Sequence, residues 1–138
     1  MKVIPYTLSL LTSTALAGPL SQNHLEARDI PESVFLVNCA GGQSFMEYFP
    51  AGPNPHGAPP SEELCNLGRI VHWEGETHSC RFPTGVTFTS HIVSYAASKA
   101  VGEYAGFGNN GSPWTCYRGS QRNLLGQGCI NVYYCNKS

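Results

Sequence analysis

Charge is what this chain has least of. Asp, Glu, Lys and Arg make up 12% of its 138 residues, and the net charge is −1 with the histidines neutral. No Lys or Arg stripe is present to neutralise a phosphate backbone, so nucleic acid is not an expected partner. Cationic attraction to microbial surfaces, which antimicrobial and killer-type toxins exploit, is weak for the same reason. Long apolar runs are also missing. The most sustained one, Val3 to Ala17, is shorter than the roughly 20 residues a helix needs to cross a bilayer, so no membrane span is expected. Catalytic signatures are absent too. There is no Gly-x-Ser-x-Gly elbow for a serine nucleophile. Gly102-x-x-x-Gly106-x-Gly108 leads into a turn rather than a helix start, which points to strand bulges and tight packing, not to a phosphate cradle. No cofactor is expected.

What the sequence does hold is cysteine, in an even set behind an export-type leader. Met1-Lys2 gives a positive start, the apolar run follows, and Ala15-Leu16-Ala17 supplies a small-x-small cleavage pattern. Residues 1–17 therefore read as a signal peptide. Residues 18–28 are polar, end Leu25-Glu26-Ala27-Arg28, and read as a propeptide or disordered leader. Residues 29–138 have the size of a single domain. All six cysteines, Cys39, Cys65, Cys80, Cys116, Cys129 and Cys135, fall in that domain. In a short exported chain such a set is a disulfide framework rather than a metal or redox site. The expected location is secreted, extracellular, and the expected state is a monomer.

Composition and turn chemistry predict an all-β fold: a compact, disulfide-stabilised antiparallel β-sandwich or partly open barrel of about seven short strands, with at most one short helix. Val34–Cys39 and Ser44–Phe49 are expected to form a hairpin around Gly41-Gly42. Pro50 to Pro60, with five prolines, is expected to be a surface loop or arm and not ladder strand. Ser61-Glu62-Glu63-Leu64 looks like a cap and first turn of a short helix near Glu62 to Leu67. Arg69–Trp73 and Thr77–Phe82 are expected to pair across Glu74-Gly75-Glu76. Val86–Ile92 alternates as a strand, and Tyr95–Val101 reads as an irregular crossover. Gly102–Gly108 and Trp114–Arg118 flank a turn at Asn109-Asn110-Gly111. Leu124-Leu125 and Ile130–Cys135 close the sheet. Six cysteines allow 15 pairings. A local Cys65–Cys80 bridge is expected, with one of Cys116, Cys129 and Cys135 reaching Cys39.

Candidate chemistry centres on histidine. A hairpin centred on Gly75 places His72 opposite His78, with Glu74 and Glu76 at the loop, a geometry suited to a divalent metal or an acid–base pair. It equally suits the polar face of a plain ribbon, and a one-residue slip abolishes it. A small secreted ribonuclease would need a base, an acid and a cation, and His72, Glu74, His78, Arg81 and His91 supply those residue types. Their spacing matches no ribonuclease signature, so no catalytic and no metal residue is assigned. Trp114, Tyr117, Tyr133 and Tyr134 are candidates for a carbohydrate- or protein-binding face. Tyr133 and Tyr134 must point to opposite sides of one strand, so at least one of them is core.

The run Val71-x-Trp73-Glu74-Gly75 … Cys80-x-Phe82-Pro83-Thr84-Gly85-Val86-x-Phe88, then Gly106-x-Gly108-x-Asn110-Gly111 … Cys116-Tyr117 … Cys129-x-x-Val132-Tyr133-Tyr134-Cys135, resembles small cysteine-rich secreted proteins of filamentous fungi. It covers most of Val71 to Cys135. Members of that group are candidate effectors or elicitors, and no shared catalytic motif carries over to this sequence. The resemblance implies secretion by a fungus and virulence-type action outside the cell, on a host surface or apoplastic protein or glycan. A plant is the expected host, with modulated immunity or cell death as the outcome. A small secreted hydrolase, a ribonuclease above all, is the alternative from another class.

Overall fold

Turn chemistry sets the strand plan. The computed structural model describes residues 29–53, 63–121 and 128–138. Eight antiparallel strands form one sheet: β1 (Ser33–Cys39), β2 (Gln43–Phe49), β3 (Leu64–Asn66), β4 (Thr77–Arg81), β5 (Thr87–Ile92), β6 (Tyr104–Asn109), β7 (Pro113–Arg118) and β8 (Cys129–Lys137). Their order is β3-β2-β1-β8-β7-β6-β5-β4. The predicted all-β class is correct, and the sheet curls into a nearly closed barrel. Gly42, at φ 91°, turns β1 into β2. Gly85, at φ 96°, turns β4 into β5. Gly111, whose N–H is accepted by the Asn109 side chain at 2.7 Å, turns β6 into β7.

Three disulfides connect Cys39 to Cys129, Cys65 to Cys80 and Cys116 to Cys135. The first and third join residues directly opposite each other on paired strands. Cys65 and Cys80 sit on β3 and β4, the two ends of the strand order. That bridge therefore fastens the barrel seam, where no ladder of backbone hydrogen bonds runs. Two exposed edges are the liability of any open sheet; here a three-residue edge strand and a covalent link manage it.

The barrel interior is one apolar cluster. Val34 and Leu36 from β1, Met46 from β2, Phe88 and Ile92 from β5, and Trp114 and Tyr133 meet there, nearly all fully buried. Each large apolar side chain so buried contributes roughly 1.5–3 kcal/mol. Gly108 faces the ring of Phe88: a Cβ there would lie 2.4 Å from its Cζ. Gly106, at φ 146°, would place a Cβ 2.1 Å from the carbonyl oxygen of His91, next to a β-bulge between Cys116 and Tyr117. The Gly-rich stretch serves packing and a bulge, as its sequence context implied.

Three local expectations are corrected. Arg69–Trp73 does not pair with β4. The partner of β4 is β5, and the 69–74 segment crosses one end of the barrel instead. Trp73 and Val71 are 1% and 3% exposed, and burying them requires the chain to cross the core rather than run along an edge. The Trp73 indole N–H donates to Asn38 Oδ1 at 2.9 Å, and the Val71 N–H to Ser44 Oγ at 3.0 Å. The helix expected near Glu62 to Leu67 is overturned over Leu64–Asn66, which is strand paired to Phe45, Met46 and Glu47, because ladder pairing and the Cys65 bridge outweigh helix propensity; its expected start at Ser61-Glu62 lies outside the described residues. Gly52–Pro53 forms a two-residue ladder with Asp29–Ile30, although the proline-rich segment was expected to form none. Pro53 ends a minimal edge strand, a place where a missing N–H is tolerated. The crossover over Tyr95–Val101 holds only a 3₁₀ turn, Ala96–Ser98. The expectations on residues 1–17, 18–28 and Leu124-Leu125, and most of those on Pro50 to Pro60, lie outside the described residues.

Candidate functional site: barrel mouth and outer wall

The barrel wall separates His78 from His91, so the five ribonuclease-type residues do not converge on one site. Successive residues on a strand face opposite sides, so on β4 His78 points inward while Thr77 and Ser79 point out. His78 is 9% exposed, and its Nε2 lies 2.7 Å from the His72 carbonyl oxygen and 3.2 Å from Glu76 Oε1. Its ring sits edge-on to Trp73 at 5.4 Å. That imidazole is held as part of the core rim. His91 is on the outer face, with Nδ1 2.9 Å from Thr77 Oγ1 and its ring stacked on Phe107 at 4.5 Å. Arg81 is exposed on the seam strand. His72 and Glu74 do meet, with Nδ1 3.5 Å from Oε1, but Glu74 Oε2 also accepts the hydroxyl proton of buried Tyr133. The expected facing of His72 and His78 does not occur, because the segment carrying His72 is not a partner strand of β4. Among the described residues no three His, Cys, Asp or Glu side chains converge to hold a metal ion.

The aromatic candidates divide between the two faces of the wall. Trp114 and Tyr133 are 1% and 0% exposed inside. Tyr117 and Tyr134 face outward, opposite each other on β7 and β8, with ring centres 5.3 Å apart. Tyr134 continues to Phe35 at 6.1 Å, and Phe35 to Phe49 at 5.1 Å. Tyr104, 50% exposed, stands opposite Tyr117 on β6. Register thus aligns Tyr104, Tyr117, Tyr134 and Phe35 in one transverse row, which runs on to Glu47 on β2 and Leu64 on β3. Sequence reasoning found two members of this row. Tyr104 joins them through the β6–β7 hairpin, and Phe35 becomes visible only once β1 is known to lie beside β8.

A cavity of about 360 Å³ occupies the end of the barrel away from Trp73. Val34, Phe82, Val86 and Phe88 supply its apolar lining, and Glu32, Tyr48 and Glu63 its acidic side. The Tyr48 hydroxyl donates to Glu32 Oε2 at 2.7 Å. Burial, that hydrogen bond and the charges of Glu32 and Glu63 push the Tyr48 phenol up. Lys137 Nζ lies 3.8 Å from Glu32 Oε1. None of these residues was a functional-site candidate from sequence. Phe82, Val86 and Phe88 share the β4–β5 hairpin, but the acidic residues come from separate segments that no local spacing connects to it.

No protein-family model, curated protein or solved structure matches the chain. Its three disulfides suit an oxidising, extracellular-type environment.

Proposed function

We propose that this chain is a secreted, non-catalytic binding module of the fungal effector or elicitor kind. It engages a protein or glycan at a host surface, with a plant as host, and its recognition there alters immunity or triggers cell death. The observation that carries the reading is the outward row of Tyr104, Tyr117, Tyr134 and Phe35. Aromatic rings on a rigid wall offer large contact area at small entropic cost, with a hydroxyl at the edge of each tyrosine. A covalently closed barrel suits life outside the cell and holds such a row in fixed register. The separation of His78 and His91 by the barrel wall favours binding over acid–base catalysis.

The test uses the oxidised protein collected from the secreting cell's medium, infiltrated into leaf tissue and assayed on RNA in parallel. Tissue binding and the leaf response are expected to survive His72→Ala, His78→Ala and His91→Ala. The double change Tyr104→Ala, Tyr117→Ala is expected to weaken binding about 30-fold, the scale of a removed interface anchor at roughly 2 kcal/mol. The thermal midpoint should move by only a few degrees. RNA cleavage lost on His72→Ala would replace this reading with the ribonuclease one.

A further inference from the structure

The open end of the barrel is chemically distinct from the aromatic wall, and its reading does not depend on that wall. From its lining we infer that the cavity binds a small organic cation, a protonated amine or guanidinium carried on an apolar body. Its volume of about 360 Å³ lies in the range of small-ligand pockets. Phe88 and Val34 are 1% exposed and form its floor, while Val86, 47% exposed, stands at the lip. An apolar body seated there displaces water from hydrocarbon on several sides.

The acidic side decides the sign of the ligand. Glu32 already has two partners, the Tyr48 hydroxyl and, at 3.8 Å, the Lys137 ammonium. Glu63 makes no ion pair among the described residues, yet its charge reaches Tyr48. Among the described residues one carboxylate is therefore left uncompensated beside a recess with apolar walls, the arrangement that focuses a field and concentrates ions of opposite sign. An ammonium or guanidinium head placed against Glu63 gains charge-assisted hydrogen bonds. An anion of the same shape meets two carboxylates, and a neutral analogue gains only the apolar contact.

Phenethylammonium, 2-phenylethanol and phenylacetate share one apolar body and differ in head charge, so they make the probe set. Each is titrated into the oxidised, secreted protein while the NMR signals of Val34, Val86 and Phe88 are followed. Saturable shifts at those residues are expected for the cation, binding at least tenfold weaker for the alcohol, and none for the carboxylate. Added salt should weaken the cation alone. Glu63→Gln should bring the cation down to the level of the alcohol. Val86→Trp, a change at the lip rather than in the core, should block both with the unfolding midpoint unchanged. Equal affinity for cation and alcohol would overturn the inference. So would shifts centred elsewhere, binding that persists in Val86→Trp, or no saturation by about 20 mM, a concentration above the Kd of even a weak millimolar ligand. Loss of tissue binding in the tyrosine variants affects none of these readouts.

Discussion

Glu47 is the residue whose environment most contradicts its chemistry. It lies on β2 at 0% exposure, on the side of the sheet opposite Met46, and neither carboxylate oxygen has a hydrogen-bond partner among the described residues. Desolvation without compensation raises its pKa from 4.5 to about 7. Between those values the folded protein binds more protons than the unfolded chain, so stability falls as pH rises. The contribution is fully present below about pH 4.5, declines through the window and is gone above about pH 7; the full swing is on the order of 3 kcal/mol. Glu47→Gln should flatten the dependence of the denaturant midpoint on pH between 4.5 and 7.5 and stabilise the protein at the upper end. An unchanged slope in that variant would assign the effect to another group. The strand SFMEYF was legible at this position, but its alternation predicts only which face Glu47 occupies, not that the face is closed to water there.

At the scale of elements, pairing was legible where turn residues force it. Gly41-Gly42, Pro83-Thr84-Gly85 and Asn110-Gly111 each connect strands that do pair. Glu74-Gly75-Glu76 also turns the chain, with Gly75 at φ 73°, yet it joins a core-crossing segment to a strand rather than two strands. Local chemistry specifies that a turn occurs and is silent on whether its flanks will pair, since the burial of Trp73 is decided by the whole barrel. The seam bridge was legible as a local cysteine pair, although its place between the two sheet edges was not. Replacing Cys65 and Cys80 with Ser should cost about 3 kcal/mol on the loop-entropy model. Faster amide exchange should concentrate in β3 and β4 and leave β1, β8 and β7 protected. Uniform acceleration across all eight strands would show that the seam is not a separable element.

At the scale of the molecule, the Cys39–Cys129 bridge closes the longest loop, with a sequence separation of 90. Its loss should cost about 4.5 kcal/mol by the same entropic reasoning, a large part of the roughly 5–15 kcal/mol expected for a domain. The Cys39→Ser, Cys129→Ser protein should therefore have a lower denaturant midpoint than the seam variant; the reverse order would mean that native packing, not chain entropy, dominates. Composition, cysteine parity and short alternating runs made the all-β, stapled class legible. The barrel mouth stayed hidden because its walls come from strands far apart in sequence.

The adjacency of β1 and β8 has a consequence for how the polypeptide comes into being. Every other pair of neighbours in the strand order is consecutive along the chain, whereas Val34 faces Cys135 across about the whole length of the domain. The sheet stays split into two half-built pieces until its last strand leaves the ribosome. Maturation is therefore a late event, completed by the carboxyl-terminal residues. A nonsense change just ahead of Cys129 would release a chain whose two partial sheets are linked only by the connecting segment and the Cys65–Cys80 bridge, each with a raw edge, into the path of the cell's quality control.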